Sequence, residues 1–194
     1  MELKIIEGTN GDVRCWKNCF SKAECNAYFE ALSHDITYHQ GEIRLFGKTY
    51  KKPRLEAFFN ASGQSYTYSN VRLEGLPFPT LLKTLKTQVE KRLGQSFNAA
   101  LVNLYRNGLD SNGWHADNES VLGPNPTIGS VSFGSTRMFI LKHNLTKKTI
   151  KIPLEDGDIL WMGPSIQHQW KHCIPKEPTV QEPRINVTFR TLVV

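Results

Sequence analysis

Residues 184–190 read Arg-Ile-Asn-Val-Thr-Phe-Arg, an almost unbroken alternation of polar and apolar side chains. Successive side chains of a β-strand point to opposite faces of a sheet, so this segment is predicted to be a strand with one polar and one apolar face. The polar face carries the guanidinium groups of Arg184 and Arg190, with Asn186 and Thr188 between them. Two guanidinium groups on an inner face require anions, because unpaired buried charge is costly.

The second half of the chain contains many more short β-type runs and no convincing helix. The predicted strands cover residues 99–106, 114–117, 128–133, 137–142, 149–154, 158–162, 168–174 and 184–193. Turn signals such as Asn-Gly at 107–108 and Asp-Gly at 156–157 separate them. Runs this short and numerous favour the two facing sheets of a jelly roll over parallel strand–helix–strand units.

Two helices are predicted in the first half. Ser21, followed three residues later by Glu24, is a capping box that opens a helix to about Leu32. Pro79 near the first turn and Gly94 as a C-cap delimit a second helix, whose leucines recur at helical spacing.

The segment between these helices, residues 36–70, shows short alternating runs, and residues 43–48 are predicted to form a hairpin. The sequence has no internal repeat and no low-complexity linker. We therefore expect a single domain covering residues 1–194.

The composition is that of an ordinary soluble protein, with 39% hydrophobic and 22% charged residues. The net charge of +6 is compatible with an anionic partner. The sequence has no apolar run long enough to span a membrane and no signal-peptide pattern, so we expect no membrane association, no secretion, and a location in the cytoplasm of a prokaryote or the nucleus of a eukaryote. Four cysteines are interpreted as reduced thiols, with zinc binding by the first three as the alternative.

Candidate metal ligands lie in residues 113–119, which read Gly-Trp-His-Ala-Asp-Asn-Glu. On a strand, His115 and Asp117 would project from the same face. His168 and His172 are four residues apart and would also share a strand face, so either or both would supply the third ligand. Two histidines and one carboxylate suit non-haem Fe(II) and leave positions open for O₂ and a co-substrate. His-x-Asp alone is a weak signal, and a hydrogen-bonded pair is the alternative.

The arginine pair predicts a dicarboxylate co-substrate. A small dicarboxylate bridging Arg184 and Arg190 would satisfy both through bidentate hydrogen bonds. Asn103 and Tyr105 share a strand face upstream, and both side chains donate to carboxylates, although ordinary core hydrogen bonding is the alternative. For the arginines, the alternative is salt bridges to Glu155, Asp156 or Asp158.

The order and spacing of three motifs resemble the AlkB family of Fe(II)- and 2-oxoglutarate-dependent nucleic-acid dealkylases. These motifs are His115-x-Asp117, Trp-Lys-His-x-Ile-Pro at 170–175 and the arginine strand at 184–190, and the resemblance extends over about residues 43–190. It implies a mainly β fold with flanking helices, in which a double-stranded β-helix (jelly roll) core occupies about residues 97–194. About residues 1–96 would then hold the helices and a nucleotide-recognition lid of hairpins.

The resemblance also implies roles for individual residues. Fe(II) would be held by His115, Asp117 and His172, rather than by His168. Of the co-substrate residues, Arg184 would pair with the distal carboxylate of 2-oxoglutarate, and Arg190 would lie near the carboxylate next to the ketone. The pocket would be completed by Asn103, Tyr105 and Asn186.

Further segments resemble the branch of the family that repairs duplex DNA. The aromatic ring of Tyr68, in the segment Tyr-Thr-Tyr-Ser at 66–69, would stack an extruded base against His115. Phe46 would fill the gap that the flipped base leaves, and Glu119 would accept a hydrogen bond from the exocyclic amine of the damaged base. The implied substrate-binding residues are Phe46, Arg54, Tyr66, Tyr68, Ser69 and Glu119.

A basic patch around Phe46 would suit the phosphates that flank an opened base pair. Its members are Arg44, Lys48, Lys51, Lys52 and Arg54. The alternative is a solvated, lysine-rich hairpin edge that protects against aggregation.

The resemblance implies oxidative demethylation of N-alkylated bases such as 1-methyladenine and 3-methylcytosine in DNA by base flipping. O₂ and 2-oxoglutarate would be consumed, and formaldehyde, succinate and CO₂ released. The expected partner is alkylated DNA, single- or double-stranded, and the expected state is a monomer. Two alternatives stay open: a 2-oxoglutarate oxygenase acting on RNA, protein or a small molecule, and a non-catalytic nucleic-acid-binding relative.

Overall fold

A computed structural model describes residues 1–7, 12–45, 47–61, 63, 66–68, 71–73 and 75–193, with backbone alone for 44–45, 66–68 and 71–73. The strands in the first half are β1 Glu2–Ile6, β2 Val13–Trp16, β3 Glu42–Leu45, β4 Lys48–Lys51, β5 Leu55–Asn60, β6 Tyr66–Tyr68 and β7 Val71–Leu73. Those in the second half are β8 Ala99–Tyr105, β9 Asn112–His115, β10 Ile128–Gly134, β11 Arg137–His143, β12 Thr149–Leu154, β13 Ile159–Met162, β14 Trp170–Ile174 and β15 Arg184–Arg190. The helices are α1 Lys22–Asp35, α2 Thr80–Leu93 and α3 Ile166–Gln169.

Two antiparallel sheets form the body of the protein. The major sheet has the strand order β1-β2-β13-β10-β15-β8-β5, and the minor sheet has the order β12-β11-β14-β9. Apolar side chains of both sheets share one buried cluster, in which Ile128 and Met162 of the major sheet meet Leu141 and Ile152 of the minor sheet. This face-to-face packing confirms the predicted jelly roll. Two separate hairpins, β3–β4 and β6–β7, precede the second half.

Strand β15 separates the apolar layer from the polar interior, as its alternation predicts. Ile185, Val187 and Phe189 are fully buried in a cluster with residues of α1 and α2, so the helices cover this face of the major sheet. Arg184 and Arg190, on the opposite face, point between the two sheets and are 1% and 3% exposed. Burying both guanidinium groups requires partners of opposite charge.

The helix boundaries follow their caps. Ser21 Oγ accepts a hydrogen bond from the Glu24 backbone N–H at 3.3 Å, and Glu24 Oε2 accepts one from the Ser21 N–H at 2.8 Å. Helix α2 ends at Gly94, whose φ of 64° is left-handed and whose N–H donates to the Glu90 carbonyl oxygen. Among the described residues no helix has the length and hydrophobicity required to cross a membrane.

Two features of the fold differ from the sequence prediction. The major sheet recruits β1, β2 and β5 from the first 96 residues, so the sheet core is not confined to the segment after about residue 96. The expectation of no helix after residue 97 is wrong, because α3 and a 3-10 turn at Ser120–Leu122 interrupt the strands. Both are single turns, too short to produce helical periodicity in the sequence.

We expect Leu85→Ala to lower the free energy of unfolding by about 2–5 kcal/mol, because truncating a fully buried leucine leaves a cavity. Leu85 is 0% exposed in the layer between α2 and the major sheet. Leu145→Ala is the matched control: this leucine is 84% exposed, and its replacement should change stability by less than about 0.5 kcal/mol. Urea denaturation followed by circular dichroism measures both, and equal effects would contradict this description of the core.

Candidate active site

The candidate metal ligands meet where β9 and β14 pair. His115 on β9 lies directly opposite His172 on β14, with ring centroids 4.2 Å apart. Asp117 follows two residues after His115, beyond the end of the strand. One ligand atom from each of these three residues lies within 4.8 Å of the other two. Two imidazoles and a carboxylate at this separation match the donor set that non-haem Fe(II) takes on one face.

Hydrogen bonding presents one nitrogen of His115 to a metal. Its Nδ1 lies 2.7 Å from the Gly113 carbonyl oxygen, which can only accept, so Nδ1 carries the proton. Nε2 is then the unprotonated nitrogen that can bind a metal; it lies 4.0 Å from Asp117 Oδ1 and accepts a hydrogen bond from Asn112 Nδ2 at 3.3 Å. His172 is held by its ring contact with Phe139, whose centroid is 5.2 Å away. Both imidazoles are thus oriented before any metal binds.

The protonation states of the three residues suit metal binding. Burial lowers the pKa of His172 to about 3, and burial also lowers the pKa of His115. Burial by itself would raise the pKa of Asp117, but the charge and hydrogen bond of Arg190 together with the two neighbouring histidines outweigh this effect, and the pKa falls to about 2. At neutral pH the site therefore offers two neutral imidazoles and one carboxylate, the forms that bind a metal without losing protons.

The structure decides between the two candidate histidines. His168 lies in the short helix α3 and is exposed, and its Nε2 is 2.6 Å from the Pro124 carbonyl oxygen. His168 and His172 therefore do not share a strand face, and the alternative in which His168 faces the metal is wrong. His172 belongs to the metal-binding group with His115 and Asp117.

A cavity between the two sheets joins the metal ligands to the predicted co-substrate residues. Its lining includes His115, Asp117, His172, Asn103, Tyr105, Arg184, Asn186 and Arg190. These eight residues come from β8 and β15 of the major sheet, from β9 and β14 of the minor sheet and from the segment that follows β9, and they are brought together only by folding. Because the metal ligands and the polar side chains of β15 line the same cavity, a molecule bonded to the metal would also meet the polar face of β15.

Arg184 has the strongest requirement for an anion. Its Nη2 donates to Ser132 Oγ at 2.9 Å, but its buried Nε and Nη1 make no hydrogen bond within the described residues. Burial lowers the pKa of this guanidinium to about 10, which leaves it charged at neutral pH. Unbonded charged donors in a buried pocket are costly, and a carboxylate would satisfy them.

The alternative of salt bridges from the arginines to the acidic residues after β12 is wrong. Glu155 and Asp158 both pair with Lys17, and Asp156 pairs with Lys22. Arg190 pairs instead with the metal-ligand carboxylate, its Nη2 lying 3.0 Å from Asp117 Oδ2. Arg190 therefore orients Asp117 as well as lining the cavity.

Asn103, Tyr105 and Asn186 line the cavity beside the arginines. Asn103 Oδ1 accepts a hydrogen bond from Arg54 Nε at 2.9 Å. The ring of Tyr105 lies near the guanidinium carbons of Arg184 and Arg137, at 5.3 and 5.6 Å. Asn186 Nδ2 donates within the sheet, to Ser130 Oγ and to a backbone carbonyl. The pocket is therefore cationic and rich in donors.

The predicted substrate residues are described only in part. Phe46 and Ser69 lie outside the described residues, and Tyr66 and Tyr68 are described by their backbone in β6. Glu119 follows Asp117 by two residues; burial raises its pKa, and the negative charge of Asp117 acts in the same direction. Its Oε2 is buried and has no hydrogen-bond partner in the described part of the chain. A donor from a ligand would satisfy it.

The predicted basic patch needs correction. Lys48 and Lys51 are exposed, but Lys52 and Arg54 are 3% and 5% exposed. Lys52 pairs with Glu56, and Arg54 binds Asn103. Tertiary contacts thus turn both charges inward, and the prediction that they bind phosphates on the surface is wrong.

Gln167 is a site residue that the sequence analysis missed. It is 1% exposed in α3, and its Oε1 accepts a hydrogen bond from the backbone N–H of Asp117 at 2.9 Å. This bond fixes the chain at a metal ligand that lies outside any strand. The sequence offers no signal for it, because one glutamine fifty residues from its partner forms no motif.

We expect Gln167→Met to weaken Fe(II) binding by about 10–100-fold, as is usual when a group that supports a metal ligand is lost. Methionine keeps the length of the side chain but leaves the buried N–H of Asp117 without an acceptor. Anaerobic Fe(II) titration of the metal-free protein measures the effect. The exposed Gln181 provides the matched control, Gln181→Met, and an unchanged Fe(II) affinity in Gln167→Met would contradict the assigned role.

Comparison with known proteins agrees with the site. The family model of the 2OG-Fe(II) oxygenase superfamily matches residues 12–190. The solved structure of OsALKBH1 superposes with a TM-score of 0.66, covering 95% of this chain and 99% of that one, at 16% identity, which supports the fold alone. Fold and metal site together define a 2OG-Fe(II) oxygenase.

Two curated relatives narrow the class. DNA oxidative demethylase ALKBH2 of Mus musculus is 35% identical over 185 residues, covering 90% of this chain and 77% of the relative. Alpha-ketoglutarate-dependent dioxygenase alkB homolog 3 of Bos taurus is 46% identical over 138 residues, covering 66% of this chain and 48% of the relative. The chain thus spans about half the length of the alkB homolog 3 protein and three quarters of ALKBH2. It belongs to the AlkB family of 2OG-Fe(II) oxygenases.

Family membership implies Fe(II), 2-oxoglutarate and O₂ as cofactors, and the residues present fit them. The metal-ligand set has the required donors in the required protonation states. The unbonded donors of Arg184 provide the place for a carboxylate in the same cavity.

Proposed function

We propose that this protein removes N-methyl groups from bases in DNA by Fe(II)- and 2-oxoglutarate-dependent oxidation. The observation that carries the proposal is the close group of His115, Asp117 and His172 in one cavity with Arg184, whose buried Nε and Nη1 have no hydrogen-bond partner among the described residues. The similarity to ALKBH2, whose name specifies a DNA oxidative demethylase, supports DNA as the substrate. The 194 residues would act as one dioxygenase domain and as a monomer.

Each set of residues has a separate task in this proposal. His115, Asp117 and His172 hold Fe(II), and Arg190 and Gln167 keep Asp117 in place. The co-substrate is held by Arg184, Arg190, Asn103, Tyr105 and Asn186. Fe(II) and 2-oxoglutarate, when bound, supply the chemistry in which O₂ is consumed, succinate and CO₂ form, and the hydroxylated methyl group leaves as formaldehyde.

The substrate side of the cavity suits a damaged base that carries positive charge. Glu119 offers a buried carboxylate oxygen that has no hydrogen-bond partner in the described ranges, and this oxygen would accept from the exocyclic amine of 1-methyladenine or 3-methylcytosine. Tyr68 would stack on the extruded base, and Phe46 would replace it in the duplex. Intercalation and stacking together offset the few kcal/mol needed to extract a base.

A mass-spectrometric screen of methylated oligonucleotides tests the proposal. DNA and RNA carrying 1-methyladenine or 3-methylcytosine would be presented as single strands and duplexes, with Fe(II), ascorbate and 2-oxoglutarate. Methyl loss from DNA is expected. Activity confined to RNA, or absent from every oligonucleotide, would contradict the proposed substrate.

Base flipping has its own test in Phe46, the residue proposed to fill the gap in the duplex. Phe46→Ala should lower activity on duplex DNA much more than on single-stranded DNA, because only the duplex has a gap to fill. Tyr50→Ala is the matched control, since Tyr50 lies in the adjoining strand β4 and is 49% exposed. Equal loss on both substrates would remove base flipping from the account.

A further inference from the structure

The polar stripe of the co-substrate pocket continues to the edge of the major sheet. Glu56 on β5 lies directly opposite Asn103 on β8, and Asn103 lies opposite Asn186 on β15. Residues paired across neighbouring strands project from the same face of a sheet, so the Glu56 carboxylate shares this face with both amides. Glu56 is 3% exposed. A buried carboxylate here would repel an anionic co-substrate unless nearby cations neutralised it.

Two buried cations flank Glu56. Lys52 Nζ donates to Glu56 Oε1 at 2.6 Å, and Arg54 Nη2 lies 3.6 Å from Glu56 Oε2. Glu56 Oε2 accepts no hydrogen bond within the described chain, so the guanidinium is drawn towards it by charge. Glu56 thus lies between Lys52 and Arg54, the arginine that donates to Asn103.

Arg54 sets the orientation of the Asn103 amide. Its Nε donates to Asn103 Oδ1 at 2.9 Å, which occupies the carbonyl end of that amide. The NH₂ end is then the group left for the cavity that Asn103 lines. An NH₂ group donates to a carboxylate, whereas a carbonyl oxygen in its place would repel one.

We infer that Glu56 is a positioning residue for the co-substrate. It holds the Arg54 guanidinium, and Arg54 keeps the Asn103 amide turned with its donor towards a carboxylate of 2-oxoglutarate. This inference rests on the proposed function, because it takes the cavity between the sheets as the 2-oxoglutarate pocket. Glu56 itself touches neither the metal nor the co-substrate.

The test measures the binding of 2-oxoglutarate to the Fe(II)-loaded full chain by calorimetry under nitrogen. Glu56→Gln preserves the shape of the side chain but places a neutral amide beside Arg54. This substitution should raise the Kd for 2-oxoglutarate about tenfold or more, the size of effect seen when a residue that orients a ligating group is lost. The Kd for Fe(II) should stay within about twofold of the wild-type value. A purely structural role would not separate the two affinities.

The chain offers a matched control in Glu90→Gln. Glu90 Oε1 pairs with Lys86 Nζ at the same 2.6 Å and the same i,i+4 spacing, but on α2, which covers the other face of the sheet. Both substitutions remove the charge from a lysine–glutamate pair. Only Glu56→Gln should weaken 2-oxoglutarate binding.

A second variant keeps the test valid if Glu56→Gln does not fold. A Cβ on Gly41 would lie 2.3 Å from Glu56 Oε1, so Gly41→Ala should displace the carboxylate without removing its charge and weaken 2-oxoglutarate binding in the same direction. Folded variants that bind 2-oxoglutarate like the wild type, or that lose Fe(II) affinity in parallel, would overturn the inference alone. A wild-type chain that bound no 2-oxoglutarate would overturn the proposed function and this inference with it.

Discussion

Asp117→Ala is expected to abolish product formation and to weaken Fe(II) binding by more than about a hundredfold. This exceeds the loss of affinity that is usual when a residue supporting a metal ligand is removed. Asp117 supplies the only carboxylate of the close metal-binding group found among the described residues. Without it, two neutral imidazoles remain beside the cation Arg190, and the local charge then disfavours a divalent metal. Anaerobic Fe(II) titration and formaldehyde release would measure the two effects.

Loss of folding must be separated from loss of metal in this experiment. Removing the partner of a buried arginine destabilises a protein by about 3–5 kcal/mol, so circular dichroism should accompany the titration. Asp35→Ala is the control, because Asp35 is exposed at the end of α1. A folded Asp117→Ala protein that bound Fe(II) like the wild type would contradict the metal site.

Arg184→Met should reduce the affinity for 2-oxoglutarate by about 2–5 kcal/mol, or roughly 30-fold to several thousandfold, as expected when one member of a buried hydrogen-bonded charge pair is lost. Methionine has a similar length and no charge. Fe(II) binding should be retained, because Arg184 is not among the residues grouped around the metal. Calorimetry with the Fe(II)-loaded protein under nitrogen measures the change.

The thermal stability of Arg184→Met gives a second test, because it should not fall when the affinity for 2-oxoglutarate falls. In the absence of 2-oxoglutarate, two buried donor atoms of the wild-type guanidinium, Nε and Nη1, have no hydrogen bond to the part of the chain that the structure describes. Replacing an uncompensated buried charge with an apolar side chain is expected to leave the thermal stability unchanged or raise it. Arg92→Met, at an exposed position in α2, serves as the control. Weaker 2-oxoglutarate binding together with a large loss of stability would contradict the role of Arg184 as an anion-binding residue.

Local patterns in the sequence predicted much of the fold. The alternation in β15 indicated which side chains face the interior, and the capping box at Ser21 and the C-cap at Gly94 marked helix ends. These features depend on residues a few positions apart, so the sequence displays them directly. Strand β1 lacks such a pattern, because most of its side chains are exposed. Its place in the major sheet depends on its neighbour β2, which pairs with β13 far along the chain.

Site residues that belong to a sequence motif were predictable. Site residues whose roles depend on contacts with distant parts of the chain were not. The metal and arginine motifs placed their residues in one cavity as expected. Arg54 was interpreted as a surface charge because its neighbours in sequence are basic, but it is buried by contacts with Glu56 and Asn103. The role of Gln167 likewise depends on a backbone N–H fifty residues away. Charge and burial at such positions are set by tertiary contacts that local sequence does not reveal.

Formaldehyde release from a 1-methyladenine DNA oligonucleotide tests the central claim most directly. The wild-type chain should release formaldehyde and restore adenine only when both Fe(II) and 2-oxoglutarate are present, and Asp117→Ala and Arg184→Met should lack or nearly lack this activity. Formaldehyde that appeared without 2-oxoglutarate, or at wild-type levels from Asp117→Ala, would contradict the account, as would its absence from a wild-type protein shown to bind both cofactors.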